Sequence, residues 1–293
     1  MSRWLNSPVA VGVGTREIVV GARLPLLSRL RKPVAAAEPA NVAIHEEQCC
    51  TEPGLLDALR TALVTTPATD AALAEQVKAP QRSASVVLDD FWGNHAILRG
   101  DFRTLRAREL EEIVLAHFTD TYGIDGESLL VRFCVQRGGR ALFASAMSRA
   151  LHDGIREVSA SARVRISRLR LGLPEMLNRA GPVADDGGEA LLMFVAHELL
   201  QAVMIKQDRW VAYDAQRLFP GDAGDASRLA ELAEQLFERS ATRTSLRRED
   251  CRIYLSGIET DLAPFEARFA AAIRLAQPAM DRSPAHRLME YAQ

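Results

Sequence analysis

The sequence lacks several features whose absence excludes whole classes of protein. Its four cysteines, Cys49, Cys50, Cys134 and Cys251, show no CxxC spacing and form no paired arrangement with the six scattered histidines. A zinc site built on cysteine and histidine and a disulfide scaffold are therefore not expected, and a reducing compartment fits. Neither sign of charge dominates: 36 Lys and Arg stand against 38 Asp and Glu, a formal net charge of -2. No global field draws the chain to nucleic acid or an anionic surface, so no nucleic-acid partner is expected. Long apolar runs are missing as well. The longest, Ala190 to Ile205, is interrupted by His197, Glu198 and Gln201 and falls short of the roughly 20 apolar residues a membrane helix needs. The segment MSRWLNSPVAVGVG has no apolar h-region and no small-residue cleavage site, so no secretory signal is expected and a cytoplasmic location is. No GxSxG nucleophile elbow occurs.

What is present is ordinary for a folded protein. The 293 residues, 48% hydrophobic and 25% charged, can bury a real core in one large or two modest domains. Two β-branched runs, Val9 to Val13 and Glu17 to Ala22, meet across Gly14-Thr15-Arg16 as an opening hairpin. A third strand is expected over Asn41 to His45 and a helix over Pro53 to Val64. Ser85 to Asp89 and His95 to Leu98 read as strands around a turn at Gly93-Asn94, followed by a helix to about Asp120. Leu129 to Val135 and Ala141 to Ala144 flank Gly138-Gly139, a hairpin signal because glycine reaches positive φ freely. A helix over Ala146 to Val158 and a strand over Ala162 to Leu169 follow.

The loop Gly181 to Gly188 marks the expected domain boundary. Beyond it the layout restarts: strands Ala190 to Val195, Leu199 to Ile205 and Trp210 to Tyr213, a helix over Ala226 to Ser240, a strand over Cys251 to Leu255 and a helix over Pro264 to Ala276. The expected division is a first lobe over 1–180 with an inserted hairpin and helix, a second over 181–276 and a flexible polar tail over 277–293. Each half opens with strand, tight turn, strand. Aligning VGTREIVV (Val13 to Val20) with FVAHELLQ (Phe194 to Gln201) sets Glu17 opposite Glu198, a weak internal repeat.

These residues resemble a family. SVVLDDFWGNHAIL (Ser85 to Leu98), IVLAHFTDTYG (Ile113 to Gly123), the Gly138-Gly139 hairpin, ALFASAMSRALHDGI (Ala141 to Ile155), RISRLRLGLPEMLNRA (Arg165 to Ala180), the run Leu191 to Phe219 and RIYLSG (Arg252 to Gly257) follow one another as in the bacterial assembly branch of actin-like proteins. That branch holds the pilus assembly protein PilM and the cytoplasmic domain of the type II secretion L protein. The resemblance spans about three quarters of the chain. It implies an α/β, actin-like (ribonuclease H-like) two-lobed fold with duplicated, hairpin-led lobes. It also implies a cytoplasmic scaffold of a type IV pilus or type II secretion inner-membrane platform, whose partners are inner-membrane pilus or secretion proteins and an assembly ATPase. Homodimerisation stays open.

Against the family's working ATPases, the phosphate loops here depart. Gly12, Gly14 and Thr15 form the first without an aspartate, and Ala196, His197 and Glu198 form the second with neither aspartate nor glycine; Gly257 alone marks the adenosine-side turn. Aspartates at these loops steer Mg²⁺, and glycines admit phosphates to backbone N–H groups. No cofactor and no catalysis is the favoured expectation; the alternative is an ATPase or phosphotransferase using ATP with Mg²⁺. Asp89-Asp90 is a candidate metal or general-base pair, set against a solvated turn. His152-Asp153 and His197-Glu198 read as surface pairs. Candidate partner-binding residues are Trp92 and Trp210, whose default is packing, and the arginines Arg163, Arg165, Arg168 and Arg170 on an alternating strand. Arg23, Arg29, Arg31 and Lys32 among leucines offer a short basic amphipathic segment or a packed loop.

Overall fold

The computed structural model describes residues 8–22, 38–65, 82–180, 188–207, 209–244, 246–257, 259–275 and 282–293. The basic segment over 23–32, and the expected boundary loop but for its last residue, lie outside them. In chain order the elements are β1 (Val9–Val13), β2 (Glu17–Ala22), β3 (Ala40–Ala43), α1 (Glu52–Thr65), β4 (Arg82–Leu88), β5 (Gly93–Arg99), α2 (Ala107–Tyr122), β6 (Leu129–Val135), β7 (Ala141–Ser148), α3 (Arg149–Ser161), β8 (Val164–Leu171) and α4 (Gly172–Arg179). There follow β9 (Ala190–Val195), β10 (Leu199–Lys206), β11 (Arg209–Arg217), α5 (Ala226–Thr244), β12 (Arg252–Ser256), α6 (Ala263–Glu266), β13 (Ala271–Arg274) and α7 (Pro284–Tyr291).

The chain divides into two compact units, residues 1–92, 149–175 and 281–293 in one and 93–148 and 176–280 in the other. The expected boundary near 181 is thus not where the compact units separate: residues 93–148, expected as part of the first lobe, cluster with the second. Nor do β4 and β5 form a hairpin at Gly93-Asn94, since they belong to different sheets.

In the first unit one sheet has the order β3-β2-β1-β4-β8. β1 and β2 pair antiparallel across the predicted turn, β2 pairs antiparallel with β3, and β4 joins β1 in parallel and carries β8 on its far edge. Side-chain alternation gives the two faces different characters. Val9, Val11 and Val13, all buried, point to one side, where α1 and α3 cover the sheet and meet each other. Ala10 and Gly12 point to the other, alongside Gly21 of β2 and Ser85 of β4, which pair with Ala10.

That second face of small residues is covered by α7. Residues 277–293 were expected as a flexible tail, and for 284–291 this is corrected. Ser283 caps α7, its hydroxyl accepting from the His286 N–H at 3.4 Å, and Pro284 stands in its first turn. Ala285, Leu288, Met289 and Ala292 recur at helical spacing and are buried against β1, β2 and β4. The helix binds because its apolar stripe meets a face small enough to admit a helix backbone.

The second unit repeats the sheet. Its order, β11-β10-β9-β12-β13, has the same senses: the first three strands antiparallel, the last two parallel to the hairpin's first strand. Leu191, Met193 and Val195 of β9 and Leu200 and Met204 of β10 pack on Leu229, Leu232, Leu236 and Phe237 of α5. Residues 264–276 were expected to be one helix. Only Ala263–Glu266 is α-helical, and Ala271–Arg274 pairs with β12 in parallel; the tertiary position of an open sheet edge overrides the helix preference of an alanine-rich run.

The same unit contains a three-stranded sheet, β5-β7-β6, backed by Leu110, Val114 and Phe118 of α2. It joins β11 through a polar and aromatic seam. The Arg99 guanidinium donates twice to the Val211 carbonyl, at 3.2 and 3.0 Å. The Gln136 amide donates to the Trp210 carbonyl at 2.9 Å and accepts from its N–H at 3.1 Å. His95, bonded to the Ser145 hydroxyl at 2.8 Å, stacks on Phe143 and meets Tyr213 edge-on.

Cys251, fully buried in the core between the second five-stranded sheet and α5, is held as a neutral thiol. Burial, with the Glu189 carboxylate adding to it, pushes its ionisation up to about 12. The folded state then keeps a proton that the unfolded chain releases near pH 9, so Cys251 supports folding below about pH 9 and loses that contribution as pH rises towards 12. The stability of the wild type should accordingly fall more steeply between pH 9 and 11 than that of Cys251→Ala, measured by urea unfolding; parallel curves would refute a buried neutral thiol.

Candidate functional site

The two hairpin turns are built alike. In the first, the Gly14 N–H donates to the Glu17 carbonyl at 2.9 Å; in the second, the Ala196 N–H donates to the Leu199 carbonyl at 2.9 Å. This equivalence sets Glu17 opposite Leu199 and Arg16 opposite Glu198, so the sequence alignment of the repeat was off by one residue. The fourth strands extend it: Leu88 of β4 pairs with Val13, whose carbonyl accepts the following Asp89 N–H at 2.8 Å, and Gly257, which follows the pair of Ser256 with Phe194, stands opposite Val195 as Leu88 stands opposite Val13.

The first turn is closed by its own chain. The Trp92 indole N–H donates to the Gly14 carbonyl at 3.2 Å. The Cys50 N–H donates to the Thr15 carbonyl at 3.4 Å, and the Ile44 N–H to the Arg16 carbonyl at 2.7 Å. Thr15 is only 4% exposed. Gly12 does not open a path for phosphate. A Cβ there would collide with the Ala285 carbonyl oxygen and the Met289 nitrogen of α7, and would lie 3.0 Å from the Leu288 carbonyl carbon. A Cβ on Gly14 would stand 3.4 Å from that of Ala285. The glycine at position 12 serves the close approach of a helix.

The second turn is more open. His197 is exposed, Ala196 and Glu198 half-buried, and the Leu218 N–H donates to the Glu198 carbonyl at 3.0 Å. Gly257 has φ of 98° and comes so close to the Val195 carbonyl that a side chain there would collide with it.

Asp89 and Asp90 are buried, 7% and 3% exposed, so a solvated turn is corrected. The Asp89 carboxylate accepts the Phe91 N–H at 2.9 Å, and that of Asp90 accepts the Leu173 N–H at 2.9 Å near the start of α4. The two carboxylates serve two separate backbone groups. Among the described residues no three His, Cys, Asp or Glu side chains are grouped to hold a metal ion. His152 and Asp153 bond to each other at 2.8 Å as a surface pair on α3.

The candidate partner-binding residues separate into two sets. Trp92, 8% exposed, is a packed residue that fastens the first turn. Trp210 is half-buried in the seam, its ring 5.6 Å from that of Phe143. The arginines divide as well. Arg170 is engaged: it pairs with Glu175 at 2.6 Å and donates to the Tyr291 carbonyl at the end of α7 at 3.2 Å. Arg163, Arg165 and Arg168 are exposed on the edge strand or in the turn before it, and none has an ion pair among the described residues.

The strand is also not the simple alternation read from sequence. A bulge falls between the pairs Ala84 with Ile166 and Ser85 with Arg168. It takes up Ser167, whose hydroxyl donates to the Ala84 carbonyl at 2.8 Å. Ladder partners share a face, so Arg165 opposite Ser83 and Arg168 opposite Ser85 point the same way despite their odd spacing. Around the first sheet, α7 and this bulge were missed. The first had a signal, Ser-Pro followed by periodic Ala, Leu and Met; the second had none.

Two sheets of identical strand order, each led by a hairpin and closed by two parallel strands, define the actin-like fold. The chain is similar over 98% of its length to a chain of the PilM–PilN type IV pilus biogenesis complex, at 12% identity, 98% coverage of that chain and a TM-score of 0.62. It is similar to a Bacteroides thetaiotaomicron protein of actin-like ATPase fold and unknown function, at 7% identity, 99% of both chains and a TM-score of 0.60. The cytoplasmic domain of EpsL, an inner-membrane component of the type II secretion system of Vibrio cholerae, matches at 12% identity, 97% of this chain, 93% of that one and a TM-score of 0.52. No family model matches the chain, and no curated protein matches it in sequence.

Proposed function

We propose that this protein is a non-catalytic scaffold that binds short segments of partner proteins at an inner-membrane assembly platform of the pilus or type II secretion kind. The observation that carries the reading is the closure of the first turn. The Gly14 N–H, the donor a phosphate would need, is committed to the Glu17 carbonyl at 2.9 Å, Trp92, Cys50 and Ile44 hold the turn's carbonyls in place, and α7 fills the space beside Gly12. A Mg²⁺-triphosphate needs free backbone N–H groups, room and a carboxylate to order the metal's waters; Gly14, Thr15 and Arg16 carry no carboxylate, and Glu17, the first residue of β2, accepts the Asn41 amide at Oε2 at 2.6 Å.

Two of the similar structures carry names from such machines, a PilM–PilN complex and the cytoplasmic domain of an inner-membrane secretion component. Among the described residues no helix is long and apolar enough to cross a membrane. On this reading the protein works on the cytoplasmic side and reaches the membrane through its partners.

The test is thermal unfolding with and without saturating Mg²⁺-ATP. A ligand bound to the native state alone at a hundred times its Kd stabilises by about 2.7 kcal/mol. The expected outcome is no displacement of Tm. A rise of several degrees would reject the scaffold reading in favour of an ATPase or phosphotransferase of the same fold.

A further inference from the structure

We infer that the free edge of β8 is a docking site for an extended, acidic segment of a partner protein, which adds to the first sheet as a sixth strand. The inference rests on the scaffold reading and gives it a place and a chemistry.

β8 ends the order β3-β2-β1-β4-β8, so every second residue turns its backbone N–H and C=O away from β4. Those groups can be met by another extended chain, as in strand addition to a sheet edge. The side chains on this edge select which chain. Arg163, Arg165 and Arg168 are exposed and form no ion pair among the described residues. The bulge at Ser167 keeps Arg165 and Arg168 on one face, so carboxylates at alternate positions of an added strand would stand opposite them. Arg163 occupies a left-handed conformation, φ 54°, where the chain turns into the strand from α3.

Arg170 bounds the site. Its guanidinium is committed to Glu175 and to the Tyr291 carbonyl, so the docking segment lies along residues 163–168. An acidic peptide is favoured over an anionic bilayer because the arginines line a strand edge whose backbone groups no described strand pairs; a bilayer would use their charge and leave those groups unmet. Edge arginines also keep identical sheets from stacking edge to edge, and that purpose alone predicts no peptide binding.

The probe is a blocked, fluorescently labelled ten-residue peptide of alternating Glu and Thr, titrated by anisotropy into the full chain and into Arg165→Glu/Arg168→Glu. Both positions are solvent-exposed, and an unchanged Tm verifies that the variant folds. The wild type should bind the peptide and ignore a Lys-Thr counterpart. The double variant should bind at least about tenfold more weakly, and methylating alternate peptide nitrogens should abolish binding in one of the two registers. Equal affinity in wild type and variant, no binding by either, or indifference to both methylations would overturn the inference. Retention of wild type but not variant on phosphatidylglycerol vesicles, without peptide binding, would replace it with a membrane contact.

Affinity purification of the tagged wild type and double variant from their own cells in mild detergent separates this idea from the scaffold reading. Inner-membrane assembly proteins recovered equally with both would sink the edge and leave the scaffold. None recovered with the wild type, in cells that express such a machine, would sink the scaffold, and the peptide titration would then decide the edge alone.

Discussion

Gly12→Ala should lower the melting temperature by roughly 10 °C. The added methyl would meet two backbone atoms of α7, the Ala285 oxygen and the Met289 nitrogen, with the Leu288 carbonyl carbon at 3.0 Å. Backbone cannot escape by changing rotamer, so either α7 lifts from β1 or the hairpin bends. Overpacking of this kind costs about 3 kcal/mol, the upper end of its usual range, and each kcal/mol displaces Tm by about 2–4 °C in a domain of this size. Gly14→Ala is the control, since its nearest atoms stand at 3.2 and 3.4 Å, and it should fall much less. Circular dichroism melts of both variants decide the matter. If Gly12→Ala melts within about 2 °C of the wild type, the close approach of α7 is wrong, and a role for Gly12 towards a ligand returns.

This glycine illustrates what was legible in the sequence and what was not. The run Val9 to Val20 states a hairpin in its β-branched residues and its Gly-Thr-Arg turn, and the strands fall where expected, at Val9–Val13 and Glu17–Ala22. The hairpin of β6 and β7 is as easily read, because Gly138-Gly139 at φ 92° and 68° fixes a reversal between Leu129–Val135 and the next strand. These are local signals, written within a few residues. The use of Gly12 is not local. Its partner helix lies far along the chain, and a glycine beside a turn reads as a phosphate-loop position because nothing within a few residues announces that helix.

The same limit explains the arginines and tryptophans. Residues 163–170 alternate in sequence, and alternation alone would put Arg165 and Arg168 on opposite faces. The bulge that unites them is set by pairing with Ala84 and Ser85, a relation across the sheet. Trp92 and Trp210 read by default as packing residues, with anchoring of a partner as the alternative were they exposed. What decides is a bond to the Gly14 carbonyl for one and the Gln136 amide for the other, neither of which sequence spacing contains. The repeat was legible in its order of elements, while its register waited on the matching bonds from Gly14 to Glu17 and from Ala196 to Leu199.

Removing residues 282–293 should abolish soluble folding of the first unit. Leu288, Met289 and Tyr291 are 5%, 2% and 6% exposed, and burying side chains of this size contributes about 1.5–3 kcal/mol each. Their loss, roughly 6 kcal/mol, approaches the whole stability of an ordinary domain. It would also bare the small-residue face of β1 and β2 and take away the carbonyl that Arg170 grips. Soluble yield and the melting curve of the truncated chain measure this; a truncated protein that melts within a few degrees of the full chain would restore the flexible tail. Leu288→Ala gives a milder step, expected to cost about 2–5 kcal/mol as a buried leucine truncation does. Combined with Gly12→Ala it exposes the mechanism. If the glycine exists to admit this helix, a helix already loosened has less to lose, and the double variant should be less destabilised than the sum of the two by at least about 0.5 kcal/mol. Strict additivity would mean that Gly12 and α7 stabilise the sheet independently, and the steric account of the first turn would fail with it.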